Sequence, residues 1–406
     1  MRILASLFHP RGSWPFSGSE RRFCHLTEEW AREGVETFAL EPTPFACNSL
    51  PAGYHPQTVA LPNAGLIRQF ASWVLGATRL GIELGSRSSF DVVYATNNNL
   101  FNLLATKAIA DRLSLPCVTV VHHLRWVDYR ETAGKDPDGH LDLARFLHVL
   151  GREGLTIPQA LARGIGASEE ARLLPSFDGF TTVSPAIGRQ LATFLPRDRV
   201  FLAMNALSDP PHSSNNPTPR GARALFVGRL DEGKGALDLI RLWEMVLERS
   251  PGARLSIVGE GVLRKRAIQE VRKRNLESSI RLLGFLEDRE VEELRQESRF
   301  FLSLSRMEGF GIAIGEALRV GLPVVAWDIP PLREVFGSCA ATFLCSEGNL
   351  EEAAKVAANL LTVPEDQWTD LSRKASQYEQ RSSWKDTAAA ELNALKQIVG
   401  ECPSNR

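Results

Sequence analysis

The segment Ala224-Leu-Phe-Val-Gly228-Arg-Leu-Asp-Glu-Gly-Lys234-Gly235 joins a run of apolar residues to a loop rich in glycine. The run 224–228 predicts a buried strand, because it is short, apolar and followed at once by turn residues. The amphipathic segment 236–249 predicts a helix directly after the loop. A strand, a tight loop and a helix in this order form the repeating unit of parallel α/β sheets.

The alternation of strands and helices extends over both halves of the chain. In the second half, strands are predicted at 254–258, 280–283, 300–304 and 323–327, and helices at 263–275, 288–297 and 315–320. In the first half, we predict strands at 2–8, 92–95 and 117–121, a loop at 9–19 and a helix from about Glu20. We therefore expect an α/β protein with two Rossmann-like parallel domains.

The 406 residues also indicate two domains, since one hydrophobic core rarely serves more than about 250–300 residues. Residues 208–221 are rich in Pro, Ser and Asn and lack apolar periodicity, which is typical of a linker. The predicted domains are 1–207 and 222–380. Ligands of such sheets bind beyond the carboxyl ends of the strands, so we expect the active site in the cleft between the domains.

Composition excludes several classes of protein. Lys and Arg number 47 against 48 Asp and Glu, a formal net charge of −1, so a nucleic-acid partner is not expected. The long uncharged stretch 42–67 is interrupted by Pro, Asn, Gln and His, which excludes an apolar membrane-spanning helix there. The first residues lack the ordered parts of a secretory signal, and the six cysteines include no CxxC pair. We therefore predict reduced thiols and a cytoplasmic location.

The loop 228–235 presents Arg229 and Lys234 just before a predicted helix. Helix N-termini attract anions through unpaired N–H groups and the helix dipole, and two cations strengthen that attraction. A diphosphate is the natural ligand of such a loop. The alternative is an ordinary solvated turn, and the loop lacks the GxxxxGK[ST] pattern of a Walker motif.

A second pattern, Glu308-Gly-Phe-Gly-Ile-Ala-Ile-Gly-Glu316, places two carboxylates eight residues apart. The first follows the predicted strand 300–304, and the second lies in the following helix. The intervening glycines let main-chain N–H groups approach a ligand closely. The alternative reading of Glu316 is an acid near a helix N-terminus, where the dipole favours it.

These residues resemble the retaining glycosyltransferases of family 4 (glycosyl transferases group 1), which have the twin-Rossmann GT-B fold. Three motifs carry the resemblance in this order: Gly228-Arg229-Leu…Lys234-Gly235, Glu308-Gly-Phe-Gly…Glu316 and Gly321-Leu-Pro-Val-Val-Ala326. Three weaker similarities lie upstream: Ser17–Arg21, Thr182–Pro185 and Met204-Asn205. The resemblance extends over nearly the whole chain. It also implies that segment 381–406 is a C-terminal helix that crosses back to the first domain.

The resemblance implies how the donor diphosphate is held. Arg229 and Lys234 would contact the diphosphate and stabilise its charge as the nucleotide leaves, as fixed cations do elsewhere. Gly228 would begin this binding loop. Gly18, in the loop of the first domain, would lie close to the diphosphate.

The resemblance also assigns the two acids. Glu308 would bind hydroxyls of the transferred sugar, beside the main-chain N–H groups of Gly309, Phe310 and Gly311. Glu316 would bind the ribose hydroxyls of the nucleotide. Glu308 is implied to position the sugar, since retaining enzymes of this fold need no protein nucleophile.

The predicted strand 117–121 ends in two histidines. In the similar family a His after this strand contacts the donor sugar or the acceptor, and the spacing from Pro116 favours His122. His123 is the alternative. A histidine at this place with a purely structural role is the other reading.

Two further segments have competing interpretations. Asp136-Pro-Asp138 matches a DxD manganese motif, but its polar surroundings favour a solvated turn. Segment 66–84 has apolar residues at helical spacing together with Arg68 and Arg79. It would either cover the core of the first domain or dock on a membrane surface.

One departure from the family pattern affects the loop after Ala326. Pro330 and Pro331 stand where the family has a pair of glycines, and proline has no main-chain N–H to donate. Phosphate contacts from that loop are therefore not expected.

Taken together, the resemblance implies a retaining hexosyltransferase. It would move a sugar from a UDP- or GDP-sugar to a hydroxyl of a glycan, polysaccharide or lipid-linked acceptor. No metal ion or other cofactor is expected. The alternative is a catalytically silent protein that binds a sugar nucleotide and acts as a partner subunit.

Overall fold

A computed structural model of the protein describes residues 1–8, 18–42, 51–124, 166, 168–207, 221–378 and 382–401. The chain divides into two compact units. Unit 1 comprises Met1–Asn205 and Ser382–Arg406, and unit 2 comprises Ala206–Arg381. Residues 208–220 of the predicted linker and the Asp136-Pro-Asp138 motif lie outside the described residues.

Unit 1 is built on a seven-stranded sheet in which every neighbouring pair of strands is parallel. The strand order is β3-β2-β1-β4-β5-β6-β7. The strands are β1 (Arg2–Ser6), β2 (Glu36–Glu41), β3 (Tyr54–Thr58), β4 (Val92–Ala95), β5 (Cys117–Val121), β6 (Gly179–Thr182) and β7 (Val200–Leu202). The predicted strand 2–8 is therefore two residues too long.

Helices flank these strands in the described part of unit 1, and one of them follows unit 2 in the sequence. They are α1 (Gly18–Arg32), α2 (Leu66–Arg87), α3 (Leu100–Leu113), α4 (Pro185–Leu191) and α12 (Trp384–Glu401). Helix α1 begins two residues before the predicted start, so Gly18 is its first residue and does not lie in a loop. Among the described residues of both units, no helix is long and apolar enough to cross a membrane.

Helix α2 covers one face of this sheet. Trp73 and Ala77 are fully buried in the hydrophobic core, and Phe70, Leu80 and Leu84 pack against it. Burial of such apolar side chains stabilises the unit by roughly 1.5–3 kcal/mol for each large residue. The core-covering interpretation of segment 66–84 is thus confirmed for these residues.

Helix α12 is fastened to unit 1 by a buried polar network. The Arg22 guanidinium forms an ion pair with Glu391, and both side chains are 1% exposed or less. Tyr94 and Thr181 donate hydrogen bonds to the same carboxylate, and Arg22 also donates to Asn205 at 2.8 Å. Because a buried charge is tolerated only when it is paired and hydrogen-bonded, the network makes α12 an integral element of unit 1.

Unit 2 contains a six-stranded parallel sheet with the order β10-β9-β8-β11-β12-β13. Its strands are β8 (Arg223–Val227), β9 (Arg254–Val258), β10 (Ile280–Gly284), β11 (Phe300–Ser303), β12 (Val324–Trp327) and β13 (Thr342–Cys345). Its helices are α5 (Ala236–Arg249), α6 (Arg264–Lys273), α7 (Asp288–Glu297), α8 (Ile312–Arg319), α9 (Pro330–Phe336), α10 (Leu350–Thr362) and α11 (Glu365–Ser376).

The start of α8 differs most from the expectation. It begins at Ile312, three residues before the predicted Gly315, because Gly311 adopts a left-handed φ of 94° that ends the loop and caps the helix. Pro330 and Pro331 do not form a loop. They open helix α9, where a missing N–H costs nothing and the fixed proline φ suits the first turn.

The strand order of unit 2 decides where a ligand can bind. The chain runs outward from β8 through β9 to β10, then returns to place β11 on the other side of β8. Strands β8 and β11 are therefore neighbours, with Phe300 opposite Ala224 and Phe301 opposite Leu225. The loops after them leave the sheet at a topological switch point, the usual binding position of open α/β sheets.

Candidate active site

The loop after β8 has a fixed conformation. Asp231 accepts a hydrogen bond from the main-chain N–H of Lys234 at 3.0 Å. Gly235 has a φ of 67°, and a Cβ atom there would lie 2.4 Å from the carbonyl oxygen of Leu304. Only glycine fits so close to a neighbouring backbone, so this residue fixes where helix α5 begins.

The two cations of this loop have different surroundings. The Lys234 ammonium forms an ion pair with the Glu308 carboxylate, and the two side chains are 22% and 14% exposed. Arg229 is more exposed, and its Nε lies 3.4 Å from an oxygen of Asp231. The structure therefore brings Lys234 and Glu308 together, as expected of residues in one site, and leaves Arg229 at the surface of the loop.

Backbone and side-chain contacts join the loop after β11 to the loop after β8. The main-chain N–H of Arg306 donates to the Gly233 carbonyl at 2.9 Å. The Arg306 guanidinium bridges Asp238 on α5 and Glu347, each at 2.9 Å. This bridge ties the loop after β11 to helix α5, which follows the Lys234 loop, and to the loop after β13. Sequence analysis could not detect this bridge, because the three residues are far apart along the chain.

The turn Gly309-Phe310-Gly311 packs against the rest of unit 2 through its aromatic ring. Phe310 is 2% exposed and lies edge-on to Phe336, with ring centroids 5.8 Å apart. A Cβ atom at Gly311 would lie 2.8 Å from Leu332, so this position also requires glycine. No backbone acceptor in the described part of the chain takes a hydrogen bond from the N–H groups of these three residues. They can donate to a ligand beside Glu308.

Glu316 lies in the second turn of α8 and pairs with a residue that the sequence did not reveal. Its carboxylate forms an ion pair with Arg295 on α7. The two side chains are 19% and 11% exposed. Arg295 also approaches Glu292 at 3.4 Å, one turn earlier on its own helix. The described structure therefore places Glu316 in a small charge cluster of unit 2.

In unit 1, His122 follows strand β5 directly. Its Nε2 lies 3.2 Å from the carbonyl oxygen of Thr96, and its main-chain N–H donates to Asn98 at 3.2 Å. Burial, with a smaller contribution from the nearby Arg22 cation, lowers the pKa of His122 to about 3. The imidazole is therefore neutral at physiological pH, with Nε2–H donating to Thr96 and Nδ1 left as an acceptor.

His123 and Gly18 are the other predicted site residues of unit 1. The carbonyl of His123 accepts a hydrogen bond from Asn98 at 2.7 Å, so both histidines are held by the same asparagine. Gly18 is exposed at the start of α1. Residues 9–17, which precede it, lie outside the described ranges.

Sequence profiles of known families match both units. The profile described as Glycosyltransferase Family 4 matches residues 16–207, and the one described as Glycosyl transferases group 1 matches residues 212–381. The two matches do not overlap and together cover most of the chain.

The match to an individual relative covers a smaller part of the chain than the two family profiles do. The chain is 29% identical to the GDP-mannose:cellobiosyl-diphosphopolyprenol alpha-mannosyltransferase of Xanthomonas oryzae pv. oryzae over 220 residues. The aligned part is 52% of this chain and 57% of that relative. The chain thus spans little more than half the length of this curated relative.

Solved structures match along nearly the whole chain. Sucrose-phosphate synthase from Thermosynechococcus elongatus superposes with a TM-score of 0.74 at 15% identity, covering 99% of this chain and 100% of that one. WaaG, a glycosyltransferase involved in lipopolysaccharide biosynthesis, superposes with a TM-score of 0.69 at 15% identity, covering 96% and 99%. At these identities the likeness concerns the fold, which is GT-B. With both family profiles matched in order, the chain belongs to the family 4 (group 1) glycosyltransferases.

Proposed function

We propose that the protein transfers a sugar from a nucleoside-diphosphate sugar to an acceptor hydroxyl, with retention of anomeric configuration and without a metal ion. One observation carries the proposal. Lys234 and Glu308, from two loops at the switch point of the unit 2 sheet, form an ion pair, and the adjoining N–H groups of residues 309–311 donate to no main-chain acceptor within the described ranges. Cation, carboxylate and N–H donors are the groups that a sugar diphosphate needs.

The diphosphate is assigned to Lys234 and Arg229. Both stand before the N-terminus of α5, whose dipole adds to their positive charge. As the bond to the sugar breaks, negative charge grows on the leaving phosphate, and fixed cations stabilise it more than they stabilise the ground state. In this proposal the two side chains supply the charge that a metal supplies in other transferases.

The sugar and the ribose are assigned to the two carboxylates. Glu308, with the N–H groups of Gly309, Phe310 and Gly311, would fix the transferred sugar by its hydroxyls. Glu316 would accept hydrogen bonds from the ribose. A carboxylate suits both tasks, because it accepts from two neighbouring hydroxyls at once.

Retention is proposed because neither Glu308 nor His122 is suited to act as the general base of an inverting enzyme. An inverting enzyme needs a general base near the acceptor hydroxyl. Glu308 is engaged by Lys234, and the neutral His122, with a pKa of about 3, is a very weak base. Attack from the same face as the leaving diphosphate avoids this need, because the departing phosphate itself can accept the proton.

The acceptor is proposed to be lipid-linked at the cytoplasmic face of a membrane. The Xanthomonas relative is named for a diphosphopolyprenol acceptor. Helix α2 of this chain exposes Ile67 (83%) and Leu75 (73%), with Arg68 and Arg79 also exposed along it. Apolar and cationic side chains on one helix suit an anionic lipid surface. Cys117, Cys339 and Cys345 are buried thiols outside any disulfide, which supports a reducing compartment.

The test of the function is donor-dependent release of nucleoside diphosphate. Purified protein is incubated with a panel of UDP- and GDP-sugars and extracted polyprenol-linked glycans, with and without EDTA. We expect release with one donor type, unaffected by EDTA, and a product whose anomeric proton coupling shows the configuration of the donor. No release with any donor would instead support the catalytically silent partner subunit.

The membrane contact has a separate test. Sedimentation with vesicles containing anionic lipid should retain the protein, and Leu75→Glu should release it. Leu104→Glu, at a partly exposed apolar position on α3, serves as the matched control. Equal retention of the wild type by neutral and anionic vesicles would argue against the proposed contact.

A further inference from the structure

The ion pair between Arg295 and Glu316 joins two helices of unit 2 and is largely buried. Arg295 is on α7 and Glu316 is on α8, 21 positions later in the sequence. Both side chains are mostly shielded from solvent, at 11% and 19% exposure. An ion pair with little exposure is screened less than one at the surface, and its geometry is better defined.

Arg295 itself is held in place. Its second contact, with Glu292 at 3.4 Å, comes from one turn earlier on α7. Glu292 is only 5% exposed, and Gln296 donates to its other oxygen at 3.3 Å. The guanidinium therefore lies between two carboxylates, and its planar fork fixes the direction in which Glu316 points.

Helix α8 is also restrained next to Glu316. A Cβ atom at Gly315 would lie 2.5 Å from the Leu207 side chain, so the backbone at this point is in close contact with its neighbour. Arg319 donates to the Leu207 carbonyl at 2.8 Å, one turn further along. The backbone that carries Glu316 is thus fixed, and the remaining freedom of its carboxylate is rotation of the side chain.

We infer that Arg295 is a positioning residue that orients the Glu316 carboxylate for the two ribose hydroxyls of the nucleotide. The inference rests on the ribose role proposed for Glu316. Arg295 need not touch the nucleotide. It binds one oxygen of the carboxylate and so sets the direction of the group, and a carboxylate has several lone pairs that can accept from hydroxyl donors. A hydroxyl that binds a charged acceptor is recognised strongly, and its absence is penalised.

The test measures ribose discrimination, which a purely structural contact would leave unchanged. Calorimetric titration with UDP and GDP identifies the preferred nucleotide, and its 2′-deoxy and 3′-deoxy forms are then compared with it. For the wild type we expect the deoxy forms to bind about tenfold more weakly, as for loss of one hydrogen bond to a charged group. In Arg295→Met the difference should shrink to about twofold or less.

Two further variants separate the outcomes. Arg289→Met alters the same residue type on the same helix, at a side chain that is 90% exposed, and should keep the wild-type ratio. Glu316→Gln should lose the discrimination even if Arg295 has no role. If Arg295→Met does not fold, Arg295→Gln takes its place with the same expectation.

The outcomes are then distinct. A wild-type ratio in a folded Arg295 variant, with the ratio lost in Glu316→Gln, overturns the role of Arg295 alone. Preserved discrimination in Glu316→Gln, or none in the wild type, overturns the ribose assignment of Glu316. Nucleotide binding with no sugar transfer would count against the proposed activity and leave the role of Arg295 supported.

Discussion

Lys234 and Glu308 form an ion pair across 74 positions of sequence, between the loops that follow two neighbouring strands. The pair holds the ammonium of Lys234 where a diphosphate is proposed to bind. Lys234→Ala removes this charge and leaves Glu308 without its cation, so the site would repel an anionic donor. We expect turnover to fall at least about 100-fold, the usual effect of losing one group that stabilises charge in the transition state.

The control for this change is Lys265→Ala, at an exposed position on α6. Initial rates at saturating and limiting donor concentrations should be unaffected by it. If Lys234→Ala also left both rates unchanged, Lys234 would not be a diphosphate ligand.

Substitution of two glycines in the loop after β8 by alanine should affect stability differently. Gly235→Ala forces a left-handed φ on alanine and places its Cβ against the Leu304 carbonyl. We expect a loss of roughly 1–3 kcal/mol in the free energy of unfolding, as for a residue held in a disfavoured backbone conformation. Gly233→Ala meets its nearest atoms at an ordinary 3.5 Å and should be nearly neutral. Urea denaturation of both variants would show whether the loop is as rigid as described.

The low pKa of His122 predicts a pH dependence of stability. The folded imidazole titrates near 3 and the unfolded one near its ordinary 6.5. Between these values the unfolded chain binds one more proton, so the free energy of unfolding falls as the pH is lowered. The contribution is at most about 1.4 kcal/mol per pH unit. His122→Gln should therefore lose stability less steeply than the wild type between about pH 6 and pH 4. Parallel stability curves for the two proteins would contradict the burial argument.

The buried pair of unit 1 predicts a large loss of stability on substitution. Arg22→Met leaves the Glu391 carboxylate buried without its cation, which typically costs about 3–5 kcal/mol. Glu401→Gln, at an exposed position near the end of the same helix, should change stability by less than about 0.5 kcal/mol. Thermal denaturation with a probe specific to unit 1 distinguishes the two. Equal midpoints would mean that α12 contributes little to that unit.

Patterns that are local in the sequence were predicted well. The helices 236–249 and 288–297 and the strands 92–95, 117–121 and 254–258 have the predicted bounds, because each has its own apolar period and clear end signals. The predicted start of helix α8, Gly315, is wrong, because the helix begins at Ile312. Residues 312–314 look like the apolar end of a loop, and only the left-handed conformation of Gly311 shows that the helix has already begun.

The contacts of the candidate site were less accessible to sequence analysis. The motif residues were identifiable by type and order, yet nothing local links Lys234 to Glu308 or Glu316 to Arg295. Those pairs depend on which strands are neighbours, and strand order is a property of the whole sheet. The neutral state of His122 likewise follows from burial and from the nearby Arg22 cation, neither of which the sequence alone reveals.

Helix α12 belongs to unit 1 but follows unit 2 in the sequence, so unit 1 can complete its folding only after unit 2 has been synthesised. A ribosome delivers the strands of unit 1 first, then all of unit 2, and Glu391 only after both. Until then Arg22 and Tyr94 await their carboxylate, and the surface that Trp30 shares with Ala388 remains open. Unit 2 is contiguous and can fold as soon as it emerges, whereas unit 1 is completed last. A fragment that stops at Asn205 would therefore be an aggregation-prone intermediate, although it contains every strand of its sheet.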